Sequence, residues 1–186
     1  MTYDIPSLTT EAVELLKSLI AIPSLSHDEE KAADRLQNYI EMQGMATGRK
    51  GNNVWCLSPM FDLHKPTLLL NSHIDTVRPV NGWRKDPFKP TLESNGKLYG
   101  LCSNDAGASV VSLLQVFLTL CRTTQAYNLL FLASCEEETG STSPAPPCPA
   151  PHVWVLRVWH RSTRLYGKPS PWDARPSAPP PSPTRR

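Results

Sequence analysis

No apolar run in this 186-residue sequence approaches the roughly 20 residues a membrane-spanning helix needs. A protein that spans or lies on a membrane is therefore not expected. The five cysteines (Cys56, Cys102, Cys121, Cys135 and Cys148) contain no Cys-x-x-Cys pair, so neither a zinc finger nor a disulfide framework is indicated. An odd number of scattered thiols fits a reducing compartment and buried, unreactive side chains. The N-terminus carries Asp4 where a secretory leader would carry basic residues before an apolar stretch, and the expected location is the cytoplasm. There is no internal repeat, and no stripe of interleaved basic and aromatic residues that would serve a nucleic acid.

The chain is long enough for one domain with a sizeable core, and its net charge of +2 conceals a division. Residues 1–140 hold 12 Lys and Arg against 16 Asp and Glu, a balance of −4; residues 141–186 hold 7 against 1, a balance of +6. Proline divides at the same point, with 7 in the first part and 12 in the shorter second part. The expected organisation is a folded unit over 1–140 and a Pro/Arg-rich tail over 141–186.

Within the first part, Val13, Leu16, Leu19 and Ile20 form an apolar stripe that predicts a helix over 10–21, stopped by Pro23. Ser26-His27-Asp28-Glu29 has the form of a capping box and predicts a second helix starting at Ser26, with Ala33, Leu36 and Ile40 inward and Gly44 at its end. Val54–Leu57 predicts a short strand. Two continuous apolar runs, at 67–71 and 128–133, predict strands covered on both faces. Asn95-Gly96 predicts a tight hairpin within 91–99. Residues 106–120 predict a helix too apolar all round for a surface position. Helices alternating with buried strands indicate an α/β fold, a mixed sheet with helices on both faces.

Polar residues collect directly after the two buried strands. The first runs into Asn71-Ser72-His73-Ile74-Asp75 and the second into Ser134-Cys135-Glu136-Glu137-Glu138, with the acidic turn Ser103-Asn104-Asp105 between them in sequence. Open α/β sheets bind ligands beyond the carboxyl ends of their strands. One imidazole with several carboxylates is the donor set of a divalent zinc site. In an extended His-x-Asp both side chains share a face, so Asp75 can accept from the outer ring nitrogen of His73 and fix its tautomer. Of two adjacent glutamates, one can bind metal while the other takes a proton. Singly, these pieces read as a capped turn, a helix N-cap and a solvated helix start; together and in order they indicate a site.

The stretch His73-Ile74-Asp75-Thr76-Val77, then Gly82-Trp83 and Asp86-Pro87-Phe88, then Leu98-Tyr99-Gly100-Leu101-Cys102-Ser103-Asn104-Asp105-Ala106-Gly107, resembles the dizinc deacetylase and carboxypeptidase family. The likeness is greatest to its acetylornithine deacetylase branch and covers about residues 8 to 140. It implies the N-terminal portion of a zinc-exopeptidase-like catalytic domain. It also implies a cytoplasmic role in amino-acid biosynthesis, such as that of arginine, and hydrolysis of an N-acyl amino acid amide. By the resemblance, two Zn2+ ions (or Co2+) occupy the site, with His73 a terminal ligand, Asp105 the bridging carboxylate and Glu138 a ligand. Asp75 orients His73, and Glu137 moves the proton. The small-molecule partner is an N-acyl amino acid. Family members form homodimers through a further domain that this sequence does not show, and two more metal ligands come from later parts.

Nothing after Gly140 continues the resemblance; His152, His160 and Asp173 lie among Pro, Arg and Trp and are not read as ligands. Three readings of the tail stand. One is a disordered segment, and another is a docking segment in which 176–183 forms polyproline II and recruits a partner to a non-enzymatic protein. The third, which the break inside a motif favours, is out-of-frame translation of a GC-rich gene. On the resemblance, a chain with this extent is expected to bind zinc weakly and turn over little.

Overall fold

Asp4 opens the first helix: its carboxylate accepts a hydrogen bond from Ser7 N–H at 3.2 Å, and Pro6 occupies the first turn, where a missing N–H is harmless. The computed structural model describes residues 3–139 and the backbone of 153–157. In it α1 spans Ile5–Ile20 and buries Leu15, Leu16, Leu19 and Ile20. The apolar stripe alone predicts a later start; Asp4 and Pro6 move it to Ile5. Helix α2 spans Glu30–Met42 and buries Ala32, Ala33, Leu36 and Ile40. It does not begin at Ser26, and no capping box forms: Glu29 is the N-cap residue and makes no side-chain cap bond. Ser26 and Glu29 have other partners, described below.

The hairpin β1 (Thr47–Lys50) and β2 (Asn53–Leu57) turns at Gly51, whose φ of 58° is left-handed. The polar sequence Thr-Gly-Arg-Lys gives β1 no apolar signature. Gly48 is required there, because a Cβ would lie 2.2 Å from the Trp55 ring. Then follow β3 (Thr67–His73), the short pair β4 (Thr91–Leu92) and β5 (Leu98–Tyr99) around Asn95-Gly96, α3 (Gly107–Leu120) and β6 (Asn128–Ser134). A 3-10 turn covers Glu137–Thr139. With β7 (Val153–Arg157), the main sheet is mixed, in the order β1-β2-β6-β3-β7, with β3 and β6 parallel and β2 antiparallel to β6. Register runs from Thr67 opposite Asn128 to His73 opposite Ser134, so both central strands deliver their following residues to one edge.

Strand β7, Val153–Arg157, lies parallel to β3 on its other side. These five residues are a proline-free Val-Trp-Val-Leu-Arg run of high strand propensity within the Pro/Arg-rich tail. Residues 140–152 and 158–186 lie outside the described residues. With them lie Cys148, His152, His160, Asp173 and the stretch on which the docking and out-of-frame readings rest.

The core joins α1, α2 and α3 to Val54, Cys56, Leu70, Leu129, Phe131 and Ala133, which by strand periodicity share one face of the sheet. The helices thus pack on one face among the described residues, where both faces were expected. Leu130 and Leu132 on the opposite face are buried too. A continuous apolar run reports that both faces are covered and says nothing of what covers them. Helix α3 is buried almost all round, as its composition predicts; Ser112 and Val116 are its exposed positions. No helix among the described residues is long and apolar enough to cross a membrane.

Phe131 is fully buried, its ring centroid 6.1 Å from that of Phe117. Phe131→Ala is expected to cost about 3–5 kcal/mol, read as a lower urea midpoint with an unchanged slope; an unchanged midpoint would contradict this packing.

Candidate metal centre at the sheet edge

His73 is the last residue of β3, and its side chain is 12% exposed. The chain stays extended beyond it: Ile74 N–H donates to Ser134 O at 2.9 Å and Thr76 N–H to Ser24 O at 2.8 Å. His73 Nδ1 lies 3.0 Å from the backbone carbonyl of Asp75 and 3.3 Å from its Oδ1. The expected His73–Asp75 partnership forms, with one difference: the shorter contact is to the backbone carbonyl and the longer one to Oδ1. A carbonyl oxygen can only accept, so in the neutral ring the proton sits on Nδ1 and Nε2 carries the lone pair. Nε2 faces Asp105 Oδ1 at 3.3 Å.

Asp105 is free for that contact because α3 does not use it as a cap. Ala106 holds the N-cap position, and no side chain caps the helix. Glu137 and Glu138 arrive from the turn after β6, and one ligand atom from each lies within 4.8 Å of the other and of a His73 nitrogen. Asp75 is fully buried and anchors this turn. Its Oδ2 accepts from Ser26 Oγ at 2.7 Å and from Glu138 N–H at 3.0 Å.

The electrostatics follow from this crowding. Burial of Asp75 works against its charge, but hydrogen bonds from His73, Glu138 N–H and Ser26 outweigh it and hold the carboxyl down at about 2. Burial likewise opposes a charged His73. The Asp75 hydrogen bond and the charges of Asp75, Glu137 and Asp105 prevail, and the imidazole sits up at about 9. Burial raises Glu138, the His73 charge pulls it back, and its acidic neighbours push it further up. Among the described residues no Lys or Arg pairs with any of these carboxylates.

This is an arrangement that asks for a cation. With Nε2 unprotonated, two acceptors face one another at 3.3 Å, a contact that needs a proton or a metal between them. Two ligands of one tetrahedral zinc, at bonds of 2.0–2.2 Å, stand about 3.4 Å apart, so the donor set and spacing fit a divalent ion.

Sequence reasoning placed His73, Asp75, Asp105, Glu137 and Glu138 at one edge, and the structure brings all five together. Ser26 and Glu29 also belong to the surroundings of the site, although their spacing matches a capping box.

The comparisons bear on this stretch. The model of peptidase family M20/M25/M40 matches residues 69–151. The chain is thereby related to the M20 peptidases. A succinyl-diaminopimelate desuccinylase from a Nitratiruptor species is 27% identical over 106 residues, 56% of this chain and 29% of that protein. An acetylornithine deacetylase from Klebsiella pneumoniae (strain 342) is 33% identical over 141 residues, 69% of this chain and 36% of that protein. In fold, human carnosine dipeptidase 1 matches with TM-score 0.58 and 21% identity over 72% of this chain and 33% of that one. The Bacillus subtilis YXEP protein, described as a dinuclear metal-binding M20 peptidase, matches with TM-score 0.54 and 16% identity over 72% and 37%. The chain thus spans about a third of the length of the M20 proteins it matches, and the mixed α/β architecture is that of their catalytic domain.

Of the four thiols among the described residues, three are held well above the usual range. Burial pushes Cys56 and Cys102 up to about 12, Cys102 further helped by the charges of Asp105 and Asp75, and Cys121 up to about 11. At neutral pH, alkylation of Cys56 and Cys102 in the folded chain is expected to run roughly a thousandfold slower than in the denatured chain. Peptide mapping after iodoacetamide checks this; equal labelling would contradict it.

Proposed function

We propose that the described edge is the metal centre of a zinc-dependent amidohydrolase acting on an N-acyl amino acid in the cytoplasm, acetylornithine being the model substrate. The observation that carries this is the placement of His73, with Nδ1 3.0 Å from the Asp75 carbonyl and Nε2 facing Asp105 at 3.3 Å. His73, Asp105 and Glu138 would hold the metal, two ions per site as in the dinuclear relative, with Co2+ as an alternative to Zn2+. A metal bound there supplies Lewis acidity toward an amide carbonyl and lowers the pKa of water.

The chain's own residues supply the rest. Asp75 keeps the proton on Nδ1, so Nε2 remains a ligand. The Glu137 carboxylate takes the proton from the attacking water and delivers it to the leaving nitrogen, so that water and amide become acid and amine. Among the described residues one imidazole and two or three carboxylates are shared between two ions, a donor set expected by itself to bind metal weakly and to support slow turnover. We assign no nucleic-acid or membrane partner, and the dimerising part of the family is not among the described residues.

The test is hydrolysis of N-acetylornithine by the purified chain with added Zn2+, beside Glu137→Ala. The expected result is a trace rate that Glu137→Ala removes; a rate indifferent to Glu137→Ala would overturn the assignment.

A further inference from the structure

Glu29 is a carboxylate with no exposure at all, and neither the helix it precedes nor an ion pair among the described residues uses it. Burying a charge is costly unless hydrogen bonds repay it. Glu29 Oε1 accepts from two backbone donors, His27 N–H at 2.9 Å and Glu136 N–H at 3.1 Å. Its Oε2 accepts from Asn52 Nδ2 at 2.9 Å, and Asn52 Oδ1 in turn accepts from Arg49 at 3.4 Å.

The two backbone donors have something in common. His27 has φ 75° and Glu136 has φ 59°, the left-handed region that non-glycine residues rarely enter. One carboxylate oxygen therefore holds two unfavourable backbone turns in place, one in the loop carrying Ser26 and one at the start of the acidic turn. Neighbouring amides are held in the same way: Cys135 N–H donates to Asn53 Oδ1 at 3.1 Å and Glu138 N–H to Asp75 Oδ2 at 3.0 Å. Buried side chains thus fix both sides of Glu137, and Glu29 holds the residue directly before it.

We infer that Glu29 is a positioning residue of the metal centre: through the Glu136 N–H it sets where Glu137 and Glu138 stand relative to His73. This deepens the metal-centre reading and rests on it for its functional consequence, though not for the backbone contact itself. A carboxylate is needed for this arrangement because both oxygens accept. The amide of glutamine would put an NH2 group against a donor on one side.

The test uses the full chain and two readouts, amide hydrogen exchange without metal and titration with Co2+ followed by its visible absorption. In wild type the Glu136 amide is expected to exchange slowly. Glu29→Gln is expected to speed that exchange at least tenfold and to weaken Co2+ binding about 10–100-fold with shifted bands. Ile40→Val, a core change at the far end of α2, is expected to leave both readouts as in wild type. Fast exchange at Glu136 in wild type overturns the inference even if Glu29→Gln fails to fold. So does a folded Glu29→Gln with wild-type exchange and wild-type Co2+ binding. If wild type binds no Co2+ while Glu136 exchange still responds to Glu29→Gln, the metal reading has failed and the backbone role of Glu29 stands.

Discussion

His73→Ala is expected to lower Zn2+ and Co2+ affinity more than 100-fold, beyond the roughly 10–100-fold that removal of an outer partner costs. The reason is that, among the described residues, His73 is the sole imidazole in the cluster and the remaining donors are carboxylates, which on their own suit harder ions than zinc. The same substitution also removes the cation that offsets Asp75, Asp105 and Glu137 in the metal-free state. Calorimetric titration of wild type and His73→Ala with Zn2+ checks it. Matching isotherms would mean that any metal bound lies elsewhere.

The second large effect belongs to Asp75. Asp75→Ala strands Ser26 Oγ and Glu138 N–H around a fully buried position and removes the carboxylate beside His73 Nδ1. Removing one partner of a buried charged pair costs about 3–5 kcal/mol, measured as a fall in unfolding free energy in urea. Asp75→Asn fills the space and is expected to cost less stability. It is still expected to weaken metal binding about 10–100-fold, because a neutral amide no longer raises the basicity of the His73 ring as the carboxylate does.

The pair also dictates a pH signature for the metal-free chain. His73 is raised to about 9, so its contribution is complete below about 6.5 and is lost as pH rises through about 9. Asp75 is lowered to about 2, so its contribution is complete above about 3.9 and is lost as pH falls through about 2. Wild type should therefore lose stability between pH 7 and 10, and Asp75→Ala, lacking the main partner that raises His73, should lose much less. Equal slopes in that range would show that another group is responsible.

How far these features can be read from the sequence depends on how local their causes are. The runs 67–71 and 128–133 report their own burial through apolar content, and they are the strands that carry the site. The hairpin at Asn95-Gly96 is written in two residues, with Gly96 at φ 83°. Strand β1 leaves no trace, because a polar edge strand is held by its pairing with β2 and by the Trp55 ring over Gly48.

The five candidate site residues were legible as clusters at strand ends, because the parallel register of β3 and β6 brings such ends together. Ser26 and Glu29 were misread for a physical reason. The Glu29 carboxylate satisfies backbone donors, as in a capping box, but they belong to His27 and to the distant Glu136, while Ser26 Oγ donates to the Asp75 carboxylate. A spacing rule sees the acceptor and not the distant donor.

Co2+ titration of the purified wild-type chain, followed by visible absorption beside His73→Ala, tests the central claim most directly. Saturable ligand-field bands in wild type that are absent from His73→Ala are the expected result. No bands in wild type, or identical bands in both proteins, would contradict a metal centre built on His73.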